Sequence, residues 1–181
     1  MLFDAFWRAT GESAFDALTA SCVECYRLSI ETALAPQHRV YRLQRSAGEA
    51  PCLVAHYFVF GPSREEATAK THAITLELPL WEALESLLAA AQFWDMPTVA
   101  GNAGLDGSIY ALEGWKAGHR HKVVRWSPNP IFSGGELVAA VTDYLERLGE
   151  LAVLECDAEL RERYVPNYVP IRQPYPRGDM A

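Results

Sequence analysis

The sequence is short of cations: sixteen lysines and arginines stand against twenty-three aspartates and glutamates, a formal charge of −7. Sequence-independent nucleic-acid binding needs clustered cations to displace counterions from phosphates, and this balance argues against it. Long apolar runs are missing as well, and nothing approaches the roughly 20 residues of a membrane-spanning helix. Asp4 and Arg8 interrupt the first residues, which lack the basic start and apolar core of a secretory signal. A cytoplasmic location is the expectation. The familiar catalytic signatures are absent too: no G-x-S-x-G elbow, no G-x-x-x-x-G-K phosphate loop, no H-E-x-x-H pair and no dinucleotide fingerprint.

Cysteine is sparse, with only Cys22, Cys25, Cys52 and Cys156. A chain this rich in core residues needs no disulfide scaffold. Cys22 and Cys25 form a C-x-x-C, but it leads into a strand-like segment, and a redox motif would want a helix opening at its first cysteine. A zinc site would want a second pair. The expectation is free thiols in a reducing compartment, with no metal and no cofactor.

What is present is an ordinary globular composition, 50% apolar and 22% charged over 181 residues. Such a chain buries roughly 70% of the surface its unfolded form exposes, enough for one core. Residues 1–163 read as a single α+β domain. Residues 164–181, with four prolines and three tyrosines, read as an extended tail.

Ser13 with Asp16 resembles a capping box at a helix start, with Phe15, Leu18 and Cys22 at helical spacing. Tyr26, Leu28 and Ile30 alternate with Arg27, Ser29 and Glu31, the pattern of a half-buried strand. Strand character returns at 38–45, 52–60 and 71–78, with short connections that imply an antiparallel meander. Pro79 fits the first turn of a helix carrying Trp81, Leu84, Leu87 and Leu88. Two further strands, 108–115 and 119–126, flank Lys116-Ala-Gly118, and a helix begins at Gly135, to end or pause at Gly149. The whole predicts an antiparallel sheet of about six strands with helices mainly on one face.

The densest stretch is Gly104 to Pro128. Asp106 sits between two glycines, the setting of a tight turn. A three-residue turn ending at Gly118 would place Glu113 opposite His121, and Trp115 and Trp126 on opposite faces. Asp106, Glu113 and His121 would then be a carboxylate–histidine set suited to acid–base work. A cross-strand Glu–His pair is equally a common sheet decoration. Trp126 beside Arg125 has the composition of a binding hot spot. The candidate binding residues are therefore Asp106, Glu113, Trp115, His121, Arg125 and Trp126. His38, His56 and His72 fall in three separate strands and predict no shared metal site.

The strings Phe93-Trp-Asp-Met-Pro97, Gly104-Leu-Asp-Gly107, Leu112-Glu-Gly114, Gly118-His-Arg-His121 and Arg125-Trp-Ser-Pro128 occur in that order. Together they resemble a group of uncharacterised bacterial proteins with an F-W-x-L-P, G-L-D-G-x-x-W, L-E-G, G-x-Y-H, R-W-S-P signature. Tyr110, Arg120 and Met96 depart from that pattern. The resemblance implies a shared hairpin and carries no activity with it.

These features lead to the expectation of a non-enzymatic binding protein. Its specific form would be an intracellular immunity or inhibitor protein that neutralises a toxic effector enzyme, and the partner a protein with a basic surface. The alternative is a small hydrolase or transferase using Asp106, Glu113 and His121.

Overall fold

Alternating apolar side chains build a six-stranded antiparallel sheet, in a computed structural model that describes residues 11–32, 37–59, 68–99, 107–127 and 135–156. The strands are β1 (Glu24–Thr32), β2 (Gln37–Arg45), β3 (Cys52–Val59), β4 (Thr68–Thr75), β5 (Ser108–Lys116) and β6 (His119–Trp126), in the spatial order β4-β3-β2-β1-β5-β6. The first four form the expected meander, and β5 returns to pair with the free side of β1. The helices are α1 (Phe15–Thr19), α2 (Leu78–Ala90) and α3 (Gly135–Cys156), with a 3-10 turn at Phe93–Asp95. The α+β class and the antiparallel sheet are as the sequence predicts.

One face of the sheet carries the main core. Tyr26, Leu28, Ile30, Tyr41, Leu43 and Leu53 meet Trp81, Leu84 and Leu88 of α2 and Val141, Leu145 and Leu148 of α3. The Tyr144 hydroxyl donates to the Leu80 carbonyl at 2.7 Å and ties the two helices together. On the same face Glu24 takes hydrogen bonds from Tyr26 and Arg45, and Lys116 bridges it to Glu85 of α2. A much smaller apolar cluster lies on the other face, where Phe15 and Leu18 of α1 pack with Cys22, Cys25 and Trp115. No described helix is long and apolar enough to cross a membrane.

Several local expectations need correction. The helix at Ser13 is only five residues long and has no side-chain cap. Leu78 opens α2 instead of ending β4, because Pro79 already suits the first helical turn. Gly149 neither ends nor interrupts α3; it lies against the Tyr41 ring, and a side chain there would overlap it. Strand β1 is buried on both faces, with Arg27 and Ser29 as enclosed as Leu28. Cys22 and Cys25 are buried and Cys52 half-buried, all three as free thiols. Burial pushes all three thiols up, so they are poor nucleophiles. The side chain of Cys156, the loop with Asp106 and the tail 164–181 lie outside the described residues.

Candidate functional site

The β5–β6 turn decides where the candidate residues go. Only Ala117 and Gly118 lie in it, at φ 50° and 83°, so Lys116 pairs with His119. A two-residue turn of this kind demands positive φ at both positions, which alanine resists, and so the sequence argues for a longer one. Losing one residue from the turn moves β6 by one position and exchanges its faces. Glu113 therefore faces Lys122, and His121 faces Gly114. Glu113 and His121 stand on opposite sides of the sheet, and no acid–base pair joins them. The same shift puts Trp115, opposite Arg120, and Trp126, opposite Ile109, on one face, contrary to expectation.

On the helical face Phe93 and Trp94 pack against the β5–β6 hairpin. The Phe93 ring lies over Gly114, where a Cβ would come within 2.6 Å of Phe93 Cε1. His121 meets the Phe93 ring edge-on at 5.1 Å, and the Trp94 ring lies tilted against His119 at 5.3 Å. Arg125 donates from both terminal nitrogens to the Pro97 carbonyl at 3.1 Å, while the Val124 amide donates to Thr98 at 2.6 Å. At the hairpin's open end Trp126, which leaves the other face, and Ser127 close over Gly107 at φ 140°, and the Ser108 amide donates to Ser127 Oγ at 3.0 Å. His121 and Arg125 thus fasten the Phe93–Val99 segment to the hairpin.

The opposite face holds a buried set of charges. Arg27 donates to Glu113 Oε2 from Nε at 3.2 Å and from Nη2 at 2.7 Å. Arg120 donates to the other oxygen at 3.1 Å, and Lys122 stands 3.8 Å from it. Arg120 also pairs with Asp16 of α1. The Phe15 ring lies beneath both guanidiniums, at 5.0 Å from Arg27 and 5.2 Å from Arg120. Farther along the face, Glu12 takes Arg42 Nε at 2.9 Å and His56 Nε2 at 2.7 Å, and His56 Nδ1 meets Thr71 Oγ1 at 2.9 Å.

Burial would raise both carboxyls, but the partners outweigh it. The His56 hydrogen bond and the Arg42 and Arg27 charges hold Glu12 below the usual carboxylate range, and Arg27 above all does so for Glu113. Both are committed to pairing. Neither is tuned as a proton donor near neutrality.

Of the candidates, Glu113, Trp115 and Trp126 share the outer face, while His121 and Arg125 lie on the helical one. Sequence reading missed Glu12, Arg27, Arg42 and His56. For Arg27 and Arg42 the linear trace is polar alternation in β1 and β2, which ordinarily marks a solvated face. Among the described residues no group of three or more metal-ligating side chains comes together.

Along β5–β6 this outer face presents Ile109, Trp126 and Val124 toward the open end and Trp115 with the exposed cations Arg120 and Lys122 toward the turn. Ile109 is 38% exposed, and both tryptophans are half-buried. Such a surface can take an apolar or aromatic contact framed by positive charge. No family model matches the chain, and no curated protein matches it.

Proposed function

We propose that the protein is a non-enzymatic binding protein that engages another protein through the outer face of the β5–β6 hairpin. The observation carrying this reading is the shared face of Trp115, Trp126, Ile109, Arg120 and Lys122. Half-buried tryptophans held by packing cost little entropy to dock, and aromatic residues sharing a face with cations are the composition of contact hot spots. Neutralising a toxic effector enzyme by such contact, as an immunity or inhibitor protein does, is the biological form we propose. The overall charge of −7 favours a basic partner at long range. At contact, Arg120 and Lys122 fit an acidic patch within that partner.

The test is a low-salt pull-down with the proteins encoded beside this one, comparing wild type with Trp126→Ala and Lys122→Glu. The proposal expects a stable complex that Trp126→Ala weakens at least tenfold, with Lys122→Glu acting mainly on the association rate. A complex indifferent to both changes would place the contact elsewhere. No complex at all would remove the reading.

A further inference from the structure

The charges around Glu12 are arranged as a receptor around a ligand. Arg27, Arg42 and His56 come from three neighbouring strands, β1, β2 and β3, and all leave the same face of the sheet. Glu12 belongs to none of these strands; it arrives from the segment ahead of α1. Its side chain is 1% exposed. The two oxygens are bound separately: Oε1 receives Arg42 Nε at 2.9 Å and lies 3.7 Å from Arg27 Nη1, and Oε2 receives His56 Nε2 at 2.7 Å.

Each donor is also held by a group other than Glu12. Glu113 takes two N–H groups of Arg27, Gln44 takes Nη1 of Arg42, and Thr71 meets the far nitrogen of His56. These supports come from the sheet itself; the remaining Arg27 nitrogen, Nη1, donates to the Ser13 carbonyl at 2.9 Å, next to Glu12 in the chain. The donors are therefore oriented whether or not Glu12 is in place. Two guanidinium groups and an imidazole fixed from behind and grouped around one carboxylate are how proteins build an oxyanion site.

We propose that Arg27, Arg42 and His56 form a carboxylate-binding cradle in the sheet, which Glu12 of the same chain fills. A ligand bearing an aspartate, glutamate or chain-terminal carboxylate competes with Glu12 for it. This site shares the outer face with the hairpin surface and is joined to it through Glu113, but the proposal does not rest on protein binding there.

Removing the internal occupant should leave a cradle that accepts a carboxylate from solution. In the full-length Glu12→Gly variant, sodium formate is titrated against sodium chloride and sodium phosphate at matched ionic strength, with Tm as the readout. At ten times its dissociation constant, formate should shift the unfolding equilibrium about elevenfold, raising Tm by about 4 °C, and the rise should saturate. Glu12→Gln, whose amide still fills the space, should gain nothing beyond the chloride control, and Glu12→Gly with Arg42→Leu should lose the formate response. An equal rise in chloride, or in the Glu12→Gln variant, overturns the proposal, and a phosphate response larger than formate overturns the carboxylate assignment. Should Glu12→Gly not fold in chloride, refolding in formate alone supports the cradle, and no refolding in either salt refutes it.

Discussion

Gly114→Ala should destabilise the protein, although the usual expectation has the opposite sign. A glycine inside a strand ordinarily costs roughly 0.5–1 kcal/mol relative to alanine, so the substitution starts with that gain. At this position the new methyl would lie 2.6 Å from Phe93 Cε1 and 3.1 Å from both Phe93 Cζ and Trp94 Cη2. The Phe93 ring is 1% exposed and has Tyr26, Trp94 and His121 around it at 6.5, 5.0 and 5.1 Å. It cannot swing aside without displacing one of them. Overpacking of this kind costs about 1–3 kcal/mol, leaving a net loss of about 1–2 kcal/mol. For a chain this long the corresponding fall in Tm is about 3–6 °C, readable by thermal unfolding and by urea midpoint. Shrinking the neighbour should undo the clash, so Gly114→Ala with Phe93→Leu should show a coupling of about 1 kcal/mol in a double-mutant cycle. A Gly114→Ala variant as stable as wild type, or more so, would refute the packing account of the Leu112-Glu-Gly114 motif.

Gly149→Ala should also destabilise, by about 2 kcal/mol in chemical denaturation, because overlap with the buried Tyr41 ring outweighs the roughly 1 kcal/mol of helix propensity gained. Ala117→Gly should stabilise by about 0.5–1 kcal/mol, since it relieves an alanine held at φ 50° in the hairpin turn; an unchanged urea midpoint would count against that turn. Glu113→Ala should cost about 3 kcal/mol by removing the carboxylate that Arg27 grips inside the protein, with loss of fold stability as the readout. The pH dependence has a definite sign: Glu12 and Glu113 titrate below an ordinary glutamate's 4.5, so their contribution is present above that pH and lost as pH falls through the lower folded values. Glu12→Gln should accordingly flatten the acid limb of a stability–pH curve and leave its alkaline limb unchanged.

The strands were legible because their apolar positions repeat every second residue, and α2 because Trp81, Leu84 and Leu88 recur at helical spacing behind Pro79. What could not be read was which polar alternations end up enclosed. Arg27 and Ser29 look like the wet side of a strand, and nothing near them in sequence announces their burial or the carboxylates that Arg27 meets. Glu12 lies 44 residues from His56, and Arg27 lies 86 from Glu113. Ion pairs across such separations exist only once the sheet order β2-β1-β5 is known. Gly149 escaped for a related reason: a helical glycine suggests an end, and only the Tyr41 ring facing it shows a close crossing.

The register of one hairpin changes what the candidate surface can recognise. Arg125 and Trp126 are neighbours in the chain, but in a strand neighbours point to opposite faces. Arg125 spends its donors on the Pro97 and Thr98 carbonyls and is not available to a partner. The cations that do share a face with Trp126 are Lys122 and Arg120. Both are in reach of the buried Glu113, with Arg120 also bridging to Asp16, so they are positioned from within while their outer surfaces stay wet. A partner approaching this face meets tryptophan and isoleucine flanked by prepaid positive charge, and the acidic balance of the whole chain acts only at longer range, where salt screens it within about 8 Å. Salt should therefore slow association with a basic partner far more than it speeds dissociation, and the two rates measured separately would distinguish the contact charges from the global field.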